Sequence, residues 1–196
     1  MIFRSPLQNR SSKKQRISKL ILITVVGSIF LSIFFTTERS VLGANIVGTK
    51  GNDFLVGSEE VNTIRALAGD DQVHGGPSRD KVYGEKGNDY VVGNEGGDLI
   101  LGGKGIDTLN GGPGNDNVRG ENSDDFLTGG EGDDTIMGGS GNDSIFGSSG
   151  NDNLVAGPGD DYMVGGPGAD RFTCGQGVDQ IADFNPSEGD TMSGDC

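Results

Sequence analysis

Along residues 48–182 a large apolar side chain recurs at every ninth position, fifteen times, without insertion or deletion. The series runs Leu55, Ile64, Val73, Val82, Val91, Ile100, Leu109, Val118, Leu127, Ile136, Ile145, Leu154, Met163, Phe172 and Ile181. A variable residue stands on each side of it. The other six positions of each copy are rich in Gly, Asn and Asp, so the unit approximates G-G-x-G-x-D-x-U-x with U the apolar residue. The three residues x-U-x have the alternation of a very short strand with one side chain directed inward. The six before them read as a turn. Glycine fills the first and the fourth position in twelve of fifteen copies each, which permits positive φ and close backbone approach. One copy supplies one turn and one strand, so two copies complete a flattened coil of eighteen residues. A fixed short period predicts a solenoid in which each repeat contacts its neighbours. The expected architecture is all-β, with two thin parallel sheets around one apolar layer and about seven and a half coils. At a strand spacing of ~4.8 Å its length is roughly 35 Å, and no helix is needed in this region.

The sixth position turns architecture into chemistry. It holds Asp53, Asn62, Asp71, Asp80, Asp89, Asp98, Asp107, Asp116, Asp125, Asp134, Asp143, Asp152, Asp161, Asp170 and Asp179. Turns on the same side bring these carboxylates one coil apart. Two unit charges about 5 Å apart repel by about 3 kcal/mol at an effective dielectric near 20. Repeated along two edges, that repulsion opposes folding unless protons or cations neutralise it. A single apolar row is also a thin core for so long an ordered segment. The metal-free chain is therefore expected to be largely disordered, with the roll forming as the ion binds. Carboxylates combined with turn carbonyls suit a hard cation, calcium above magnesium, which demands a stricter octahedron and keeps its waters. Zinc prefers Cys and His, and the whole chain has two Cys and one His.

The repeats resemble the RTX, or haemolysin-type calcium-binding, family. Five copies match the turn consensus in full: Gly102–Asp107, Gly111–Asp116, Gly129–Asp134, Gly138–Asp143 and Gly165–Asp170. The likeness covers 135 of 196 residues, and the segment Asp179–Phe184 with Gly189 and Asp190 is similar to the family's closing segment. The resemblance implies a right-handed parallel β-roll with several calcium ions. Each ion would sit between successive turns on one side, held by the sixth-position carboxylates of both turns and by backbone carbonyls of the glycine-rich turn. Carried over, Asp98 pairs with Asp116, Asp107 with Asp125 and Asp116 with Asp134, and so on along each edge. The carbonyls implied are those of turn residues such as Gly102, Gly105, Gly111, Gly114, Gly129, Gly132, Gly138, Gly141, Gly165 and Gly168.

The array is uneven. Glu60 and Asn62 replace glycine and aspartate in the second copy, Ala66-Leu67-Ala68 opens the third, and Ser78 and Ser123 replace fourth-position glycines. The strongest sites are expected between about Gly84 and Asp170, with a weak or empty one near Asn62. The fifth position is Asn or Asp in nine copies. Local capping of the turn by an Asx side chain is the expected role there, ahead of direct ligation.

Charge narrows the partners. The net charge of −14 conceals an asymmetry: residues 1–40 carry seven of the fifteen Lys and Arg and one acid, Glu38, leaving 8 basic and 28 acidic side chains in the rest. Such a surface repels nucleic acid and attracts cations. The basic head Arg4–Lys19 and the mostly apolar run Leu20–Phe35 are followed by small residues at Gly43 and Ala44. Residues 1–43 therefore read as a leader helix, either a cleaved signal peptide or an uncleaved signal anchor. A membrane contact is expected only through residues 20–35 if the leader is kept. Both alternatives place the repeats outside the cytosol, where Cys174 and Cys196 become candidates for a disulfide closing the end of the roll.

The domain order expected is leader 1–43, calcium-binding β-roll 44–182 and C-terminal cap 183–196. About four residues separate the leader from Gly48, too few for a catalytic domain. His74 stands at an outward ninth position and reads as a surface residue rather than a catalytic base. No Gly-Lys-Ser/Thr follows the turns, so they are not phosphate cradles. The outward seventh and ninth positions mix Phe, Tyr, Thr, Arg, Gln and Val rather than forming a flat threonine array, which weakens an ice-binding reading. The expected function is that of a non-enzymatic extracellular or cell-surface calcium-binding protein with a structural or interaction role, its cell-envelope or matrix partner undetermined. The alternative is a calcium-dependent folding and secretion module derived from an exported enzyme, toxin or adhesin.

Overall fold

The computed structural model describes residues 45–194 and Cys196; the leader expected over residues 1–43 lies outside them. The first strands are β1 Asn45–Val47, β2 Phe54–Val56, β3 Thr63–Arg65, β4 Gln72–His74, β5 Lys81–Lys86, β6 Tyr90–Val92, β7 Leu99–Lys104 and β8 Thr108–Pro113. They continue as β9 Asn117–Asn122, β10 Phe126–Glu131, β11 Thr135–Ser140, β12 Ser144–Ser149, β13 Asn153–Val155, β14 Tyr162–Val164, β15 Arg171–Thr173, β16 Gln180–Ile181 and β17 Thr191–Ser193. Odd-numbered strands form a nine-stranded sheet and even-numbered strands an eight-stranded sheet, each in strict spatial order. Every pairing is parallel, and partners from β1 to β16 are eighteen residues apart, as in Ile64↔Val82 and Leu109↔Leu127. This is the all-β parallel solenoid that the nine-residue period predicts.

The roll runs one strand further at each end than the repeat count of 48–182. Ile46 of β1 is in phase with Ile64, and β17 pairs with β15 at an offset of twenty, Phe172↔Met192. Apolar members from Ile64 to Phe172 have no exposed surface and form one continuous core, while Ile46, Leu55 and Ile181 near the ends are partly buried against it. Phe184 closes the C-terminal end edge-on to Phe172, ring centroids 6.2 Å apart. A disulfide joins Cys174, just after β15, to Cys196, with Cα atoms 5.3 Å apart.

Strands in the middle of the roll are longer than the three residues the pattern predicts. β5 and β7–β12 have six residues each because the first turn positions also pair across coils, as in Gly112↔Gly130. The two uses of glycine divide between positions. Positive φ falls at the second and fourth positions, as at Gly103 (119°) and Gly105 (120°), and not at the first. Non-glycine residues adopt it too: Leu67, Glu85, Asn94, Glu121 and Ser148 at the second position and Ser123 at the fourth. At the first position the demand is for space rather than torsion. A Cβ on Gly102 would fall on Asp107 Oδ2, and one on Gly93 would meet both Asp98 Oδ2 and the Gly111 carbonyl.

Candidate metal centre

The eighteen-residue register gathers the sixth-position side chains into two files, one along each edge. One file is Asp53, Asp71, Asp89, Asp107, Asp125, Asp143, Asp161 and Asp179; the other is Asn62, Asp80, Asp98, Asp116, Asp134, Asp152 and Asp170, continued by Asp190. In both, the backbone N–H of each member donates to Oδ1 of the next member one coil on, at 2.7 Å for Asp98 to Asp116, 2.7 Å for Asp107 to Asp125 and 2.8 Å for Asp116 to Asp134. The same bond closes the second file, from Asp170 N–H to Asp190 at 2.9 Å, across a gap of twenty residues. Asp190 therefore takes the next sixth position although it lies outside the strict period.

The second carboxylate oxygen separates the interior of each file from its ends. Oδ2 is buried without a hydrogen-bond partner in Asp71, Asp80, Asp89, Asp98, Asp107, Asp116, Asp125, Asp134, Asp143, Asp152, Asp161 and Asp170. Buried acceptors left unpaired are costly and rare in folded proteins. At the ends the same atom is satisfied: Asp53 Oδ2 accepts from Thr49, Asp179 Oδ2 from the Gly175 N–H at 3.0 Å, and Asp190 Oδ2 from the Asn185 N–H at 2.7 Å. The fourth end is Asn62, whose Nδ2 stands where an aspartate carries Oδ2, beside its own first-position glycine Gly57. That nitrogen donates to the carbonyls of Ser58 (3.2 Å), Glu60 (2.6 Å) and Gly75 (3.5 Å) and to Asp80 Oδ1 (3.0 Å).

Asn62 thus marks out an oxygen cage. Its members are the second- and fourth-position carbonyls of one turn, and the first-position carbonyl and sixth-position Oδ1 of the turn one coil on. In the interior turns the central atom is an oxygen. Aspartate Oδ2 sits beside its first-position glycine, and the next coil's first-position carbonyl reaches the same spot: Gly102 against Gly84, Gly111 against Gly93, Gly129 against Gly111, Gly138 against Gly120 and Gly165 against Gly147. An oxygen among oxygens repels its neighbours unless a proton or a cation lies among them. The residues present therefore fit a hard cation. No three Asp, Glu, His or Cys side chains converge anywhere among the described residues, so each interval relies on two carboxylates and main-chain oxygens.

The fourth-position glycines Gly105, Gly114, Gly132, Gly141 and Gly168 all have positive φ. Each packs its Cα against the fourth-position carbonyl of the preceding coil, as Gly105 does against Gly87. Of the expected carbonyls, those of the first position reach the interior Oδ2 atoms, while the fourth position takes part in the Asn62 turn through Glu60. In the Asn62 turn the second-position carbonyl of Ser58 takes part as well, at a position not among those expected.

Burial governs the protonation of the files. Desolvation is the largest effect and raises every interior carboxyl above its ordinary value; the inter-coil N–H bond opposes it. Asp71, Asp116, Asp143 and Asp152 rise to about 6, Asp98, Asp107 and Asp134 to about 7, and Asp125 to about 8. Neighbouring aspartates add to the rise, Asp107 and Asp143 in the case of Asp125.

The fifth position departs from the local turn cap expected of it. Its side-chain oxygen accepts from the fifth-position N–H one coil further on: Asn88 from Ile106 at 2.8 Å, Asp124 from Asn142 at 2.7 Å and Asn151 from Ala169 at 3.0 Å. Fifth-position side chains thus reach forward along the roll while sixth-position aspartates reach back. Where the fifth position is Asn or Asp, the coil boundary is laced in both directions. His74 lies half-buried on the outer face of the eight-stranded sheet, its ring 5.8 Å from that of Phe54.

The profile of the RTX calcium-binding nonapeptide repeat (4 copies) matches this chain six times, over residues 47–82, 56–91, 74–109, 92–127, 110–145 and 146–181. The chain belongs to that family. Its matches run unbroken from residue 47 to 181 and include every interior aspartate of both files. No curated protein matches the chain. Membership makes calcium the partner of these repeats, in agreement with the oxygen-only cage.

Proposed function

We propose that this RTX protein is a multisite calcium binder whose β-roll forms as the ions bind, and that it acts without catalysis as a structural or interaction element outside the cytosol. The observation that carries this reading is the set of twelve buried Oδ2 atoms without partners, one in each interior aspartate. Each would ligate an ion together with the following aspartate's Oδ1, the second- and fourth-position carbonyls of its own turn and the first-position carbonyl of the next coil. That gives twelve intervals, from Asp71–Asp89 to Asp161–Asp179 on one edge and from Asp80–Asp98 to Asp170–Asp190 on the other. The intervals Asp53–Asp71 and Asn62–Asp80 are already filled, by Thr49 and by the Asn62 amide.

A bound cation supplies positive charge that offsets the stacked carboxylates, so binding free energy becomes folding free energy. The Cys174–Cys196 bridge supports an oxidising compartment. Extracellular calcium modules work at about 10⁻⁴–10⁻³ M, which sets the affinity range expected. Titration calorimetry with parallel circular dichroism tests the reading: a stoichiometry close to twelve and a gain of β signal on saturation are expected. A full β spectrum in chelator at neutral pH would overturn coupled folding, and a stoichiometry of one or two would overturn the ladder assignment.

A further inference from the structure

The two outer faces of the roll differ in charge. On the eight-stranded sheet the seventh and ninth positions carry no Asp, Glu, Lys or Arg among the described residues, in an otherwise heavily acidic chain. The nine-stranded sheet turns Arg65, Lys81, Arg119 and Arg171 outward at the same positions. The uncharged face also has a period of its own. Phe54, Tyr90, Phe126 and Tyr162 occupy the seventh position of every second strand, and all four are exposed, between 40% and 53%. Gln72, Thr108 and Ser144 alternate with them, giving an aromatic ring, then a hydrogen-bonding side chain, along the length of the sheet. Phe146 bridges one interval, its ring centroid 5.0 Å from Phe126 and 6.1 Å from Tyr162.

Geometry limits what can cover this face. Eight strands by three residues make a strip about 35 Å long and about 10 Å wide. That is about 350 Å², well short of the roughly 800 Å² per partner of a stable protein–protein interface. A second copy of the chain is therefore a poor occupant, and so is a globular partner. A narrow strip suits a linear polymer. Absence of charge removes the electrostatic recognition that nucleic acid or an anionic polymer needs. Successive aromatics are two coils apart, about 9–10 Å. In an extended chain of equatorially linked pyranose rings, every second ring presents the same face after a comparable advance. The C–H face of a sugar ring stacks on an aromatic ring, and its hydroxyls bond to Gln, Thr and Ser side chains. Tyr adds a polar tip to an apolar body at two of the four positions.

We propose that the outer face of the eight-stranded sheet is a docking strip for an unbranched, uncharged, β-linked polysaccharide, read by Phe54, Tyr90, Phe126 and Tyr162. The strip exists only on the formed roll, so the inference rests on the calcium reading, and the test separates the two. The full chain in saturating calcium is sedimented with insoluble β-1,4-glucan and, in a second arm, with chitin; soluble polygalacturonate serves as the anionic probe. Retention on at least one neutral polymer is expected, with little affinity for polygalacturonate. The double variant Phe126→Ala/Tyr162→Ala should lose at least tenfold in affinity while keeping the calcium-saturated β spectrum. Lys81→Ala on the opposite sheet should bind as the parent does. Binding of neither neutral polymer by a chain with a full calcium response overturns the strip alone. So does stronger binding to polygalacturonate, or binding indifferent to the double variant. Retention on the polymer by a chain that shows its β spectrum without calcium overturns the metal reading and leaves the strip standing.

Discussion

The turns Gly57–Asn62 and Gly93–Asp98 lie on the same edge of the roll, two coils apart, and differ at their centre by one atom. In the first a side-chain nitrogen donates to three carbonyls and a carboxylate. In the second, Asp98 presents an oxygen at the equivalent point, and that atom has no partner. One turn is complete as a protein structure; the other is complete only with something positive added. Every interior turn of both files is of the second kind, and every file end is of the first. On the calcium reading proposed above, the ion sites fall in the middle of each ladder, and both ladders stop without exposing an unsatisfied end.

Removing the metal from the whole array strikes every interior turn at once. Chelation at neutral pH leaves twelve buried oxygens unpaired at once, each with a desolvation penalty of about 1–3 kcal/mol. The expected result is loss of most β signal across the roll, followed by far-ultraviolet circular dichroism. The Asn62 turn cannot rescue the rest, because a solenoid repeat is held only by its neighbours.

A single interior position is the next smaller test. Asp116→Ala removes Oδ1, which accepts the Asp98 N–H at 2.7 Å, and the partnerless Oδ2. It should abolish two intervals and reduce calcium-saturated stability by about 1–3 kcal/mol from the orphaned N–H. Asp116→Asn should behave differently, because it copies Asn62. Its carbonyl oxygen still accepts from Asp98, and its amide nitrogen takes the cation's place. One ion should be lost rather than two, with a smaller loss of stability, as read by calorimetric stoichiometry and thermal melts.

Protons offer a weaker substitute for the ion. The interior carboxyls, raised by burial from 3.8 to about 6 in Asp71, about 7 in Asp107 and about 8 in Asp125, bind more protons folded than unfolded. Their contribution to the metal-free roll is fully present below the unfolded value and is lost as pH rises through about 6 to 8. Metal-free chain should therefore gain β signal at pH values near 4 and lose it towards pH 8. Apparent calcium affinity should run the other way, falling as the medium is acidified and protons compete for the same oxygens. A metal-free spectrum flat across this range would separate folding from carboxyl charge.

Much of this was legible in the sequence because it is periodic. Asp at the sixth position and an apolar residue at the eighth fix the two files, the two sheets and the core, since a strict period carries register with it. What escaped was set by contacts one coil away. Nothing local distinguishes the torsional role of Gly103 from the steric role of Gly102; the difference lies in Asp107 and in the carbonyl of the next coil. Asp190 was hidden by a two-residue break in phase, although Asp190-Thr191-Met192 keeps the aspartate-x-apolar signature of the repeat. The backward reach of sixth-position and forward reach of fifth-position side chains depends on rotamers that a consensus does not carry. Cys174 and Cys196 announced a candidate pair, but their 5.3 Å approach depends on the tail returning as β17.

Reversing the natural substitution is the finest probe of the comparison. Asn62→Asp puts an oxygen where the amide nitrogen now bonds Ser58, Glu60, Gly75 and Asp80. Without calcium the variant should be less stable than the parent, because the Ser58, Glu60 and Gly75 carbonyls lose the amide donor and gain a repelling neighbour, while Asp80 Oδ1 keeps only the backbone N–H of residue 62. With calcium it should bind one further ion, giving a stoichiometry higher by one and a steeper dependence of melting temperature on calcium concentration. The gain is the smallest effect of the series, since the new interval lies near an end of the roll and its fourth-position residue is Glu60 rather than glycine. A variant whose stability in chelator matches the parent's would mean that the amide is not standing in for a cation, and the assignment of the cage in every other turn would fall with it.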